Sequence, residues 1–252
     1  MLKSVRRFAI ANCLAAAVAA APAAWAVSVT PVVVDLQPSG SRMSQVVTIE
    51  NKYARPVVLE IKIQEATYTD DGLKGTGKES EDLLVFPPQM SIEPGKTQAI
   101  RIQYVGDPAL AQSKHYFVTV AQLPVKLDES AGSVVQLLYN FQVVVGVSVA
   151  GAKPNLQVTK SEITTTGDGK PRATITLTND AATYGYLTGG TLRIVEKDRA
   201  GKEVFNRALN SEQIEVEIGY GLVGAGQTRR MTTPIELPTA EGSLEVRFTP
   251  SK

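Results

Sequence analysis

The sequence predicts an all-β protein built from two sandwich domains in tandem. From residue 27 onward, short runs rich in β-branched residues alternate with Gly, Pro, Asn and Asp, and no segment keeps apolar residues at a helical spacing over three turns. About seven such runs fall in roughly 100 residues, the strand count of an immunoglobulin-like β-sandwich. A faint internal repeat supports two copies of one module over a single large barrel.

The first 26 residues are predicted to be a secretory signal peptide. Basic residues precede an alanine-rich apolar stretch that closes on Ala24-Trp25-Ala26, so we expect cleavage between Ala26 and Val27. The apolar stretch is too short and too rich in alanine for a membrane span, and no later stretch is long enough, so stable membrane insertion is not expected. The mature protein is therefore expected to be exported.

Cleavage removes Cys13 and Trp25, the only cysteine and the only tryptophan, and leaves 226 of 252 residues. Without cysteines the fold must hold by burial and strand pairing rather than by disulfides. Three basic residues are lost with the leader, which leaves 23 Lys and Arg against 25 Asp and Glu. A net charge this close to zero gives no electrostatic case for nucleic acid or an anionic membrane as a partner.

The predicted strands divide into two groups of seven. The N-terminal domain, residues 27–150, has them at 27–36, 45–51, 56–64, 83–86, 97–104, 115–122 and 134–149. The C-terminal domain, residues 155–252, has them at 155–164, 172–179, 186–195, 203–207, 212–218, 228–236 and 243–249. Segments 69–82 and 200–204 are predicted loops, and 151–154 is the predicted linker.

The internal repeat pairs residues 46–56 with 174–184 and residues 92–102 with 222–232, at offsets of about 128 to 131 positions. Nearly equal offsets indicate a duplicated module.

The strand predicted at 134–149 is unusually long and alternates regularly. Odd positions carry apolar side chains, while even positions include Gln136, Asn140 and Gln142 but also the apolar Val134, Leu138 and Val144. A strand of this length spans on the order of 50 Å, two to three times the usual length. Such a strand extends beyond its own sandwich and needs something else to contact.

His115 is the only histidine and the first residue to test for catalysis. A hydroxyl such as that of Ser113 beside it would suggest acyl transfer, but no G-x-S-x-G elbow occurs, and one histidine without cysteines cannot build the usual zinc sites. We expect His115 to be an ordinary residue at the start of a strand, with a catalytic or ligand role as the alternative.

Two other segments have the form of ligand sites. Residues 219–226, GYGLVGAG, satisfy G-x-G-x-x-G, but a strand-like segment follows where a phosphate-binding loop needs a helix, so we expect a turn. Asp70, Asp71, Glu79, Glu81 and Asp82 are expected to be a solvated acidic face, with calcium as the alternative. No cofactor, metal site or catalytic constellation is predicted, so the function is expected to be binding rather than catalysis.

Three stretches together resemble the periplasmic pilus-assembly chaperones of the chaperone–usher pathway: FPPQMSIEPGKTQAIRIQY at 86–104, HYFVTVAQLPV at 115–125, and the alternating strand, followed by a second β-domain. The resemblance covers essentially the whole mature chain. It is closest to the archaic, Csu-type branch, because QEATYTDDGLKG at 64–75 and Pro87-Pro88 fall where that branch has similar stretches.

The resemblance implies a periplasmic chaperone, not an enzyme, that lends an edge strand to pilin subunits lacking their last strand and delivers them to an outer-membrane usher. The donor residues would be Val135, Leu137, Tyr139, Phe141 and Val143. Positions 143 to 147 are expected to lie mostly in the core of their own domain. A complete second domain follows the long strand, which argues against a pilin.

The chain departs from the family in one respect. Classical members hold the subunit's terminal carboxylate with a basic pair, one residue on the first strand and one on the long strand. Segments 27–36 and 134–147 contain no Lys or Arg, and Phe117 stands where the archaic branch tends to have arginine. Lys114, Lys126 and Lys153 are the substitutes to test. The alternatives are an exported tandem binding protein that recognises a surface glycan or protein without strand donation, and a hydrolase of unknown type.

Overall fold

The computed structural model describes residues 27–69, 72–124 and 137–251. The described residues form two β-sandwiches, each around its own hydrophobic core. The N-terminal strands are β1 Val27–Thr30, β2 Val33–Leu36, β3 Ser44–Asn51, β4 Val57–Thr69, β5 Gly72–Glu79, β6 Leu83–Phe86, β7 Gln89–Ile92, β8 Thr97–Tyr104, β9 Lys114–Gln122 and β10 Asn140–Val147, with a 3-10 turn at Ser41–Met43. The predicted all-β tandem fold is confirmed.

The C-terminal elements begin at residue 156. They are β11 Leu156–Thr165, β12 Pro171–Asn179, β13 Gly185–Tyr186, a 3-10 turn at Leu187–Gly189, β14 Gly190–Lys197, β15 Glu203–Leu209, α1 Ser211–Glu217, β16 Leu222–Val223, β17 Gln227–Glu236 and β18 Ser243–Pro250. Strands β11, β12 and β17 form one sheet in that order, and β15, β14 and β18 form the other, while β13 and β16 pair separately.

The two sheets of the N-terminal sandwich have the orders β1-β3-β8-β6 and β2-β10-β9-β4-β5, with β7 pairing to β4. The predicted strand 27–36 is therefore two strands, because Pro31 has no amide hydrogen to donate and the chain changes sheets there. Strand β1 pairs antiparallel with β3, whereas β2 pairs parallel with β10 from Val33 opposite Val144 to Leu36 opposite Val147. β10 consequently has β2 on one side and β9 on the other.

A buried asparagine explains the internal repeat. Asn51, at the end of β3, donates through Nδ2 to the carbonyls of Arg55 and Ile92, and its Oδ1 accepts from the amide of Tyr53. Asn179, at the end of β12, makes the equivalent bonds to Thr183, to Val223 and Gly224, and to Ala181. Each side chain joins the two repeated segments of its own domain, and both are almost completely buried.

The prediction of a strand at 212–218 is wrong, because residues Ser211–Glu217 form a helix. Asn210 caps it in a reciprocal capping box with Gln213, and Gly219 with φ of 93° ends it. The alternation of Ile214 and Val216 is typical of a strand, but Ile214 is buried while Val216 is 80% exposed. The local capping bonds therefore outweigh the alternation.

The loop predicted at 69–82 is also wrong in part. β4 continues to Thr69 and forms a hairpin with β5, so most of this polar segment is paired. Asp82 is not part of a solvated acidic face, because its Oδ2 accepts from Lys114 Nζ at 2.8 Å and from the Tyr116 hydroxyl at 2.6 Å. Burial alone would raise the pKa of Asp82, but these two hydrogen bonds lower it below its usual value. Asp70 and Asp71 lie outside the described residues.

The long strand is shorter than predicted. Of the predicted 134–149, β10 takes Asn140–Val147, residues 137–139 have no regular structure, and 134–136 lie outside the described residues. Strand β9 ends at Gln122, whose amide donates to Tyr139, so Leu137 and Leu138, the described residues before Tyr139, pair with no described strand. A strand conformation is maintained by its ladder, and here the ladder ends.

Candidate functional site: the open edge of β10

One side of β10 is partly unpaired. The carbonyl of Tyr139 faces β9, where it accepts from Gln122, and the amide of Val144 faces β2, where it donates to Val32. Successive residues of a strand point their backbone groups to opposite edges, so the amides and carbonyls of Asn140 and Gln142 face the β2 side. In the described part of the chain, pairing on that side begins only at Val144, which leaves an open edge over Asn140–Val143.

The side chains beside this edge change from exposed to buried along the chain. Leu137 and Tyr139 are 66% and 45% exposed, and Phe141 is half-buried against the core. Val143, Val145 and Val147 have no exposed surface and belong to the core of the N-terminal sandwich. The same alternating face therefore fills its own core at one end and presents apolar side chains to solvent at the other.

The predicted donor residues are thus placed differently from one another. Leu137 and Tyr139 overhang the sandwich, together with Leu138, which is 44% exposed. Phe141 lies at the boundary, and Val143 is fully occupied by its own core, as expected for positions 143 to 147. Val135 lies outside the described residues. Single exposed apolar side chains are ordinary, but three in succession beside an open sheet edge make this segment the candidate interaction site.

The opposite face of the same sheet contacts the C-terminal domain through a line of aromatic rings. His115 packs edge-on against Tyr68 and Tyr184, at centroid distances of 5.2 and 4.6 Å, and Tyr184 packs against Tyr186 at 5.5 Å. A Cβ at Gly146 would lie 2.7 Å from the Tyr184 ring, so glycine is what admits this ring. A cavity of about 270 Å³ beside Tyr68 and His115 is lined from both domains, by Lys114 and Gln227 among others.

Asp35 on β2 connects the two domains by hydrogen bonds. Its Oδ1 accepts from the hydroxyls of Tyr184 at 2.6 Å and Tyr186 at 2.7 Å. None of these three residues was predicted from the sequence to be functional. The available signal was a single charge in the otherwise apolar segment VSVTPVVVDL, but the tyrosine partners come from another domain and only the fold brings them together.

Residues 26–145 match the family model described as pili and flagellar-assembly chaperone, PapD N-terminal domain. The N-terminal domain belongs to this family. The resemblance to pilus-assembly chaperones inferred from the sequence is thereby confirmed, and the open edge and overhanging residues lie on the PapD-type domain. No curated protein sequence matches the chain.

Solved structures of chaperones have a similar fold. A chain of the Salmonella enterica complex of SafA pilin with the SafB chaperone is 15% identical, with 90% of this chain and 91% of that chain covered and a TM-score of 0.50. The YadV chaperone is 16% identical, with 88% and 91% covered and a TM-score of 0.50. A chain of the Acinetobacter baumannii CsuC–CsuE chaperone–subunit complex is 10% identical, with 82% and 89% covered and a TM-score of 0.48. The two structures with a TM-score of 0.50 are similar to this chain in fold alone, and the archaic branch stays a prediction.

The PapD-type domain carries no basic pair at the positions tested from sequence. Val33 and Val144 lie opposite each other where β2 meets β10, and Phe117, opposite Val144 on β9, is 8% exposed. Lys114 is paired with Asp82, Lys153 is exposed after β10, and Lys126 lies outside the described residues. The face of the sheet that carries Val33, Val144 and Phe117 is therefore apolar where β2 meets β10.

The described residues give no support to the ligand sites considered from sequence. No group of three or more metal-ligating side chains occurs among them, and in the same part of the chain no helix is long and apolar enough to cross a membrane. Within residues 219–226, Leu222–Val223 form β16 and a turn at 225–226 leads into β17, so a strand follows the glycines, as expected, and not a phosphate-binding helix. Ser113 Oγ accepts from the amide of Tyr184 rather than contacting His115 in a catalytic pair.

His115 is a buried structural residue whose protonation would oppose folding. It is 3% exposed, the Tyr68 hydroxyl lies 3.1 Å from Nε2 and 3.2 Å from Nδ1, and burial lowers its pKa from 6.5 to about 3. The unfolded chain binds this proton more readily than the folded chain does. The contribution of neutral His115 to the free energy of unfolding is therefore fully present above pH 6.5 and is lost as the pH drops toward 3.

Because of His115, we expect the free energy of unfolding to be about 2 kcal/mol lower at pH 5 than at pH 7. The His115→Gln variant should lack this part of the loss, because glutamine does not titrate. Urea unfolding of both proteins at the two pH values is the measurement. Equal losses in both would show that other groups cause the acid sensitivity.

Proposed function

We propose that this protein is a periplasmic chaperone that binds pilus subunits by lending them the open edge of β10. The observation that carries the proposal is the combination of an unpaired edge at Asn140–Val143 with the exposed apolar side chains of Leu137 and Tyr139, on a domain of the pilus-chaperone family. A subunit that lacks one strand presents the complementary surface, which is an empty groove between two exposed strand edges.

The two halves of the edge have separate roles in this proposal. The backbone groups of Asn140 and Gln142 pair with a strand of the subunit, and Leu137, Tyr139 and the outer part of Phe141 enter its groove, with Val135 extending the series. Each buried side chain of this size contributes about 1.5–3 kcal/mol before the cost of ordering the segment. Val143 supports the strand from within its own core and is not a contact residue.

The rest of the assignment follows from the same role. We propose a mature chain that begins at Val27 after cleavage at Ala26, domains at 27–150 and 155–252 joined by 151–154, and export to the periplasm. The family match begins at residue 26, beside the proposed cleavage site, and the two cores lie on either side of the linker. The proposed partners are pilin subunits and an outer-membrane usher, with no cofactor and no enzymatic turnover.

Co-expression with the subunit genes adjacent to the chaperone gene tests this function. We expect a co-purifying complex of one chaperone and one subunit, with the subunit aggregated or degraded when the chaperone is omitted. The intact mass of the recovered chaperone should correspond to a chain that starts at Val27. Subunits that fold and stay soluble alone would instead favour an exported binding protein that does not lend a strand.

A further inference from the structure

Asp35 points away from the core of its own domain and into the contact region between the domains. Its neighbours Val34 and Leu36 are buried in the N-terminal core, whereas Asp35 is exposed on the other face of the sheet. Both tyrosine hydroxyls donate to the same oxygen, Oδ1. The second oxygen, Oδ2, accepts no hydrogen bond from any described residue, so it remains available to a ligand.

Asp35 gives this site a negative charge. Among the described residues it forms no ion pair, and the ion pairs that do occur involve other carboxylates. Burial raises the pKa of both Tyr184 and Tyr186, and the Asp35 charge raises them further. The pKa of Tyr220 is raised by burial, then by Glu215 and by Asp35. A carboxylate ligand would be repelled here, and a cation would be attracted.

Aromatic rings complete the site. Tyr186 packs against Tyr184 at 5.5 Å and against Tyr220 at 5.9 Å, both edge to face, and the rings of Tyr186 and Tyr220 are half-buried rather than enclosed. An ammonium or guanidinium group within about 6 Å of a tyrosine ring is stabilised by the ring's electrons. A free carboxylate oxygen beside partly exposed rings is the arrangement that suits an alkyl cation.

We propose that Asp35, Tyr186 and Tyr220 form a binding site for a lysine or arginine side chain of the captured subunit. This inference rests on the proposed function and specifies the chemistry of the subunit segment that reaches the junction of the two domains. The chain has no basic pair for a carboxylate on segments 27–36 and 134–147, and the one charged residue of segment 27–36 is Asp35, which attracts a cation instead.

The position of the site relative to the open edge supports this occupant. Pairing with β2 closes the edge at Val144, and Asp35 lies opposite Gly146, two residues further along β10. Two residues of a strand span about 7 Å, a distance that an extended lysine or arginine side chain covers. Between the edge and Asp35 the sheet face carries Val33, Val144 and Phe117. The apolar stem of such a side chain can pack on these residues while its charged end reaches Asp35.

The site can be tested without a subunit by NMR titration of the full mature chain. The probe is N-acetyl-lysine-methylamide, and the matched neutral control is N-acetyl-norleucine-methylamide. We expect the lysine probe to shift the signals of Asp35, Tyr186 and Tyr220 in a saturable manner, and the norleucine probe to leave them unchanged. The Asp35→Asn variant, which keeps an oxygen for the tyrosine hydroxyls but loses the charge, should not respond.

The second arm measures subunit affinity. Asp35→Asn should weaken subunit binding about ten-fold and reduce its salt dependence, with only a small loss of thermal stability in the free protein, because asparagine keeps an oxygen for the two tyrosine hydroxyls. Tyr220→Leu leaves the Asp35 hydrogen bonds intact and should also weaken subunit binding. It serves as the second variant if Asp35→Asn is unstable.

The outcomes separate this inference from the proposed function. Wild-type capture with unchanged affinity in both variants would overturn the cation site and leave the chaperone function standing. Equal NMR shifts with both probes would overturn it as well. No capture by the wild-type protein would overturn the chaperone function and, with it, the assignment of a subunit side chain to this site.

Discussion

Leu137→Glu is expected to abolish subunit capture without unfolding the chaperone. A glutamate at this position would bring an unpaired charge into an apolar groove, at a cost of several kcal/mol. The free protein should be nearly unaffected, within about 0.5 kcal/mol, because Leu137 is 66% exposed in the unbound structure. The measurements are co-purification of the subunit and urea unfolding of the chaperone alone. Tyr139→Glu is expected to behave in the same way.

Two controls on the same strand make this result specific. Gln142→Glu introduces the same charge on the opposite face of the strand, where the side chain is already exposed, so capture should persist. Val145→Glu places the charge in the N-terminal core, so the chaperone itself should fail to fold. Equal loss of capture in Leu137→Glu and Gln142→Glu would contradict the groove assignment. A Leu137→Glu protein that does not fold would assign Leu137 to its own domain.

Asn179→Ala should destabilise the C-terminal domain by about 3 kcal/mol or more, since a buried group that loses its partner costs about 1–3 kcal/mol. The side chain donates to the carbonyls of Thr183 at 2.8 Å and Gly224 at 2.9 Å and accepts two backbone amides, all in a site with 1% exposure. Alanine would leave these backbone groups buried without partners. Urea unfolding followed by circular dichroism measures the loss.

Asn51→Ala should have a comparable effect on the N-terminal domain, because its side chain makes equivalent bonds. Asn206, which is exposed on β15, is the matched control, and Asn206→Ala should change the free energy of unfolding by less than about 0.5 kcal/mol. A mild effect of Asn179→Ala, similar to that of Asn206→Ala, would show that water replaces the lost bonds and that the repeated asparagine has no structural role.

The fold was largely predictable because strand alternation and turn residues are local signals. The repeat of 46–56 at 174–184 was visible in the sequence, and Asn51 and Asn179 are the physical reason for it. The helix at Ser211–Glu217 was missed because alternation in the sequence does not reveal which of Ile214 and Val216 is buried. Capping by Asn210 and Gln213 was the local signal that distinguishes helix from strand at this position.

The candidate site was predictable only in part. Alternation identified Leu137 and Tyr139, because apolar side chains at every second position indicate a buried or binding face. Where the strand stops being paired depends on the lengths of β2 and β9, which are properties of the sheet rather than of residues 137–143. The contact of Asp35 with Tyr184 and Tyr186 depends on how the two domains pack, because these tyrosines lie 149 and 151 positions further along the chain.

The change of sheet at Pro31 has a consequence for how a bound strand is aligned. Because the chain crosses from β1 to β2 at this point, the amide of Val144 is already occupied by Val32. A subunit strand paired with the open edge of β10 would meet Val32 if it extended past Val143, because Val32 already occupies the amide of Val144. A shift by one residue would also turn the wrong side chains toward the groove. In the proposed complex, Val32 would therefore limit the register of a subunit strand on the β2 side of β10.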